Sequence, residues 1–273
     1  MEKDQARELN AKIQLDSKFR PKARRILKRM VKDFENLYAE KGAVIDMQPY
    51  SDAWEKELDK HYKAVEDEFM GKASKELQKK PDREQLLLIL TAFIIMRRLR
   101  KVSSRQEIND TSSSQIDASI EKATALLAES GVDLTNAAIA ATAGQILRGR
   151  IDGRAAAIAT TETQFIAETV KKIEADAITN NKNSYLDAAV EERPELVSSA
   201  YVTDEPTPYE KEWQSTLSPT TRAEHAAAHG QRVKADGYFY VWGEYLKYPG
   251  DTSMGASAKN VINCYCRVRY NNK

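Results

Sequence analysis

Both cysteines and two of the three histidines fall between Trp213 and Cys266, a stretch reading WQSTLSPTTRAEHAAAHGQ, then YFYVWGEY, YPGD and NVINCYCRVRY. These are the scarcest metal-capable side chains in the chain, and their gathering limits how its end can fold. The first part predicts a short capped helix, with Ser218 as N-cap, Pro219 at the first helical position and Gly230 as a left-handed terminator. On that helix His225 and His229 are four apart and share a face. From Asn263 onward, alternation predicts a strand with Cys264, Cys266, Val268 and Tyr270 on one side and Tyr265, Arg267 and Arg269 on the other. If the two faces meet, they form a His2Cys2 set suited to tetrahedral zinc.

The same residues also read as inert packing, a buried patch with satisfied imidazoles and unreactive thiols. C-x-C is tighter than the usual spacing of structural zinc ligands. Alternate Cα atoms of an extended strand lie roughly 6.5–7 Å apart, so two sulfurs on one metal require a bend. A Cys264–Cys266 disulfide sits at the limit of bridge geometry. A catalytic zinc is disfavoured: the helix reads H-A-A-A-H, with Ala226 where the metalloprotease motif carries its general base.

The ordered set Trp213, Thr221, Arg222, His225, His229, Gly230, Pro249, Gly250, Asp251, Asn263, Cys264 and Cys266 resembles the phage minor head proteins named after protein F of bacteriophage Mu. Upstream, RAAAIATTET is similar to that family's arginine-to-glutamate helix, matching at Arg154, Ala159, Thr161 and Glu162. The resemblance covers roughly the last 120 residues. Leu217-Ser218-Pro219 departs from it, standing where many relatives carry an aspartate. It implies a structural, non-enzymatic minor capsid protein of a tailed double-stranded DNA phage. Such a protein associates with the portal, acts in head morphogenesis and DNA ejection, is assembled in the host cytoplasm and is retained in the virion.

Composition agrees with a helical protein: 41% hydrophobic and 30% charged residues, with few glycines and prolines. Two cysteines make no disulfide framework, which fits a reducing compartment or an intracellularly assembled particle. The N-terminal MEKDQARELNAK has no apolar core, so no secretory signal is expected. The longest apolar run, Leu86 to Met96, falls short of the about 20 residues a bilayer span needs, so no membrane partner is expected.

Along the chain, residues 1–45 predict a basic amphipathic helix. Residues 1–33 hold eleven Lys/Arg against five acids, a surface for packaged DNA or an acidic protein, or a solvated helix face. Asp52 to Gln78 predicts a second helix with His61 in its apolar stripe, and Leu86 to Leu99 a helix buried on most sides or covered by another subunit. Arg97, Arg98, Arg100, Lys101 and Arg105 are read as cations complementing that helix's end. The polar run Asn109–Ser114 marks a turn and boundary, helices follow at Gln115–Glu129 and Thr135–Leu147, Asp152-Gly153 marks another turn, and Arg154–Ile178 is helical. Glu191–Pro194 and Thr203–Pro208 read as exposed loop.

The expected architecture is therefore a mostly α N-terminal region, residues 1–110, and a head-morphogenesis-like region, 111–273. The latter comprises helices over 115–178 and a compact α+β end over 209–273. On this reading a chain beginning near Gln115 folds without the N-terminal helices. Two other functions stay open. One is a toxin-like or nucleic-acid-modifying enzyme with Glu224, Asp236 or Asp251 near His225; the other is a freestanding DNA-binding protein.

Overall fold

The computed structural model describes residues 3–194 and 205–272, so Thr203 and Asp204 of the expected loop lie outside the described residues. Among the described residues, six helices come first: α1 (Lys3–Lys41), α2 (Gln48–Phe69), α3 (Lys72–Glu76), α4 (Arg83–Glu129), α5 (Asn136–Ile178) and α6 (Ser184–Glu192). A small α+β part follows: β1 (Tyr209–Gln214), α7 (Ala223–Ala227), β2 (Arg232–Lys234), β3 (Phe239–Val241), β4 (Glu244–Leu246), α8 (Ala258–Val261) and β5 (Arg267–Asn272). This is the expected class. Among the described residues, no helix is long and apolar enough to cross a membrane.

Two expected turns are helix instead. Across 109–114 the hydroxyls of Thr111, Ser112 and Ser114 donate to the carbonyls four residues back. Polar side chains that signal a turn can also bond back into the helix ladder, and here they do. At Asp152-Gly153, α5 continues because Ile151 and Ala155 are buried on either side. Core packing there outweighs the about 1 kcal/mol that one helical glycine costs. The basic run after Met96 consequently lies at no helix end. Arg97 pairs with Glu66, Arg98 with Glu192, Lys101 with Asp59 and Arg105 with Glu55.

The chain forms two compact units, neither continuous in sequence. One comprises Ser17–Lys60 and Arg100–Ala159. Its core draws on Phe19, Ala23, Leu27, Met30 and Phe34 of α1, Trp54 and Leu58 of α2, and Ile116 and Ala143 further on. Within it Arg154 donates to the Ile108 carbonyl and the Ser112 hydroxyl, and burial lowers its pKa to about 10. This residue of the family-like motif therefore works as a helix-to-helix tie.

The other unit comprises Met1–Asp16, His61–Leu99 and Thr160–Lys273. The end of α5 runs through it, and residues 162–179 are buried without exception. The helix is nevertheless polar, so each side chain must find a partner. Glu162 accepts from the Tyr62 hydroxyl (2.5 Å) and Thr163 bonds His61 (2.9 Å). Glu168 pairs with Lys12 (2.8 Å) and Lys171 with Glu8 (3.0 Å). Glu174 accepts the Gly71 and Ala73 amides and the Ser74 hydroxyl, capping α3. Lys12 and Glu8 thus belong to the core rather than to a basic surface. The cut at residue 110 would strip all of these partners from α5, and a chain beginning near Gln115 lacks them.

The strands form a three-stranded sheet of order β2-β1-β5 and a separate β3-β4 pair. β1 and β5 are antiparallel, with Trp213 opposite Val268. The inward face of β1 carries Tyr209, Lys211 and Trp213. Lys211 donates to the Gly237 and Lys247 carbonyls, and burial, reinforced by nearby Lys172, lowers its pKa to about 7. On the edge of β5 away from β1, the Val268 amide donates to Glu168 (2.9 Å) and the Val268 carbonyl accepts from Lys171 (3.0 Å). The Tyr270 amide donates to Glu76 (2.9 Å). Side chains from helices thereby stand in for the missing neighbouring strand.

Removing one partner of a buried, hydrogen-bonded ion pair strands the other charge, at a cost of about 3–5 kcal/mol. Glu168→Ala, which takes from Lys12 its carboxylate partner and leaves Lys171 with Glu8 alone, should lower unfolding stability by about that much in a urea titration. Asp4→Ala, which removes an exposed pair with Arg7, should change it by no more than about 1 kcal/mol.

Candidate metal centre

Between β1 and β5 the chain folds back on itself to bring the sequence-marked residues together. Trp213 is fully buried, and its ring meets His225 edge-on at 5.7 Å and Phe239 at 5.4 Å. The Trp213 amide donates to the Gln231 carbonyl, and its carbonyl accepts from Gly230 (2.8 Å), whose φ of +81° suits a residue without a side chain. Those two bonds capture residues 230–231 against β1 and cut the expected helix short: α7 covers only Ala223–Ala227. Ser218 does not cap it. Its amide donates instead to the Thr221 hydroxyl, which also bonds Thr216.

His225, Cys264 and Cys266 are all at most 2% exposed, and their donor atoms lie within 4.8 Å of one another, so the three could hold a metal ion. The His225 Nδ1 lies 3.5 Å from the sulfur of Cys264 and 3.6 Å from that of Cys266. The bend that C-x-C requires begins at Asn263, whose φ is +52°, and extended strand starts only at Arg267. Arg222 donates to the Ile262 carbonyl and so ties the start of α7 to this bend.

His229, expected as a fourth ligand, is not part of the cluster. Past the end of α7 it no longer shares a face with His225; it is exposed, and its Nδ1 accepts the Ser215 amide (3.0 Å). Its role is to hold the turn after β1.

Asn260 fixes the tautomer of His225. Its Nδ2 donates to the Val241 carbonyl (3.0 Å) and the Glu244 carboxylate (2.7 Å), both of which can only accept. Its Oδ1 therefore faces His225 Nε2 (3.2 Å) and accepts its proton. The lone pair is left on Nδ1, facing both sulfurs. Metal-binding imidazoles characteristically give their other N–H to such an acceptor, so the residues fit a metal on chemistry as well as proximity. The hydrogen bond between the two thiols pulls Cys266 well below the usual thiol range, against the effect of burial. The same bond, with burial, pushes Cys264 well above it.

The P-G-D turn is built into the same wall. Asp251 is buried and accepts the Lys247 and Ser253 amides (2.8 and 2.9 Å), an arrangement that uses both carboxylate oxygens for the turn. Gly250 has φ +88°, and a Cβ there would meet the Gln164 side chain at 3.1 Å. Gln164 in turn donates to the carbonyls of Pro249 (3.1 Å) and Cys266 (2.7 Å). The motif residues Pro249, Gly250, Asp251 and Asn263 thus shape the backbone. Asn260, Glu244, Ser215 and Gln164, which the sequence did not single out, orient the cluster.

No family model matches this chain, and neither a curated protein nor a solved structure is significantly similar to it.

Hydrogen bonds from Ser257 first, then Asn260, lower the Glu244 pKa to about 2. A carboxyl held below its unfolded value of 4.5 contributes stability above pH 4.5 and loses it as pH falls toward 2. Melting temperature should therefore fall between pH 4.5 and 2 more steeply in the wild type than in Glu244→Gln. Parallel profiles for the two proteins would contradict the bond pattern.

Proposed function

We propose that the protein is a structural minor head protein of a tailed double-stranded DNA phage, associated with the portal and acting in head morphogenesis and DNA ejection. The observation that carries this reading is the work done by the family-like residues. Trp213, Gly230, Asp251 and Asn263 pack, turn or brace the backbone around one buried cluster. A protein whose motif residues serve the backbone in this way is suited to assembly rather than turnover. The reading gives it a place in the virion, near the portal, after assembly in the host cytoplasm.

Zinc is the metal that the cluster's donors favour. Two sulfurs and one imidazole with a fixed tautomer are borderline-soft ligands at a buried site. Bound there, zinc would supply no reaction; it would hold α7 to the bend before β5 across about forty residues of chain. DNA contact belongs to the exposed cations of the unit formed by Ser17–Lys60 and Arg100–Ala159. Arg20, Arg24, Arg25 and Lys28 line a groove of about 650 Å³ there. Phosphate neutralisation by such a surface makes affinity fall steeply with salt.

The function is tested by mixing the purified full chain with the portal protein of the same phage. Co-migration of the two as a defined complex is expected, with DNA affinity that weakens with salt and drops in Arg24→Gln/Arg25→Gln/Lys28→Gln. Failure of the two proteins to associate, or a nuclease or transferase activity lost in His225→Ala with folding intact, would overturn it.

The zinc reading predicts about one metal ion per chain and a melting temperature lowered by chelator. Cys264→Ser should cost nearly as much as Cys264→Ser with Cys266→Ser, since one lost ligand already opens the site. Metal-free protein whose melt ignores chelator would reduce the cluster to packing.

A further inference from the structure

The odd-numbered face of β5 carries Arg267, Arg269 and Asn271, three donor side chains in a row. Arg267 is only 4% exposed. Its Nη1 and Nη2 donate to Glu8 (2.7 Å) and Glu76 (2.5 Å), but its Nε is buried with no hydrogen-bond partner. The amide nitrogen of Asn271 is buried and unpartnered as well. Buried donors are ordinarily satisfied, so two orphans on one strand face call for an acceptor.

These residues line a pocket of about 270 Å³ whose far wall brings Arg7 from α1 and Lys72 and Lys75 from α3. Five cations thus face the space, against the carboxylates of Asp4, Glu8 and Glu76. Those carboxylates are already engaged. Glu8 is held by Lys171 and Arg267, Glu76 by Arg267 and the Tyr270 amide, and Asp4 lies near Arg7 and Lys75. The lining still carries five cations against three carboxylates, with Lys72 also 3.6 Å from Glu68.

We propose that this pocket is a binding site for a phosphate group. Several oxygens on one tetrahedral centre can accept from the strand-borne donors on one side while lysine ammonium groups neutralise its charge from the other. A free phosphate ion and a phosphodiester of nucleic acid share this chemistry. The pocket lies in a different unit from the Arg24–Lys28 groove and depends on none of its residues.

The test is the melting temperature of the full chain in rising sodium phosphate, against sodium chloride at equal ionic strength. A saturable, phosphate-specific rise is expected. In Lys72→Gln/Lys75→Gln the half-saturating concentration should increase at least tenfold. Both lysines lie outside the core, with side chains 31% and 70% exposed, so the variant tests binding and not folding. Asn271→Leu should weaken the response in the same direction. Phosphate acting no differently from chloride, or an undiminished response in the double variant, overturns the site. A short DNA duplex is then added in the Arg24→Gln/Arg25→Gln/Lys28→Gln background. Displacement of phosphate would identify a phosphodiester as the occupant, and failure to displace it a free ion; either upholds the pocket, independently of the portal experiment.

Discussion

A buried polar helix is the constraint on which the unit containing the His/Cys cluster depends. Between Glu162 and Ile178 every residue of α5 is buried, yet the stretch carries three glutamates, an aspartate and two lysines. Burying a charge costs several kcal/mol unless it is paired and its remaining hydrogen-bonding capacity is used. The sequence meets that demand by surrounding the helix with partners from α1, α2, α3, β1 and β5. Lys12 bonds Gln164 and Glu168 together, and the Tyr209 hydroxyl and Lys172 both bond Asp176. Such a network is poor at adding stability but strict about geometry. One misplaced neighbour leaves an uncompensated charge.

The cluster of His225, Cys264 and Cys266 inherits that geometry. Gln164 holds the Cys266 carbonyl, Glu168 and Lys171 hold Val268, and the strand that delivers both cysteines is thereby fixed from its open edge. From the other direction, Asn260 sets the proton on His225 and is itself aimed by the Val241 carbonyl and Glu244. Two independent supports converge on the three clustered residues. The cluster is a consequence of how α5 and the β3–β4 turn are anchored, rather than a local motif that folds alone.

What the sequence disclosed follows from the range of the interactions involved. The helix ends at Glu129 and Ile178 were legible because Ser130-Gly131 and the polar Asn180–Asn183 run are local stop signals. His225, Cys264 and Cys266 were legible because scarce residue types clustered. His229 was misplaced because periodicity alone extended α7 to Gly230, whereas hydrogen bonds to Trp213 end it three residues sooner. The Asn109–Ser114 run hid a continuous helix, since hydroxyls that bond back to the ladder look the same in sequence as those that make turns. The Lys12–Glu168 pair was illegible for a plainer reason. Charged residues in a helical pattern are read as its wet face, and only a partner 156 positions away turns them inward.

Amide hydrogen exchange at Val268 tests most directly the claim that side chains of α5 complete the edge of β5. If Glu168 accepts that amide as the structure has it, the proton should exchange only with global unfolding, as slowly as those paired between β1 and β5. In Glu168→Gln it should exchange through local opening, many times faster, while the β1-facing amides of Arg267 and Arg269 change far less. A Val268 amide that exchanges at a solvent-exposed rate in the wild type would contradict the account.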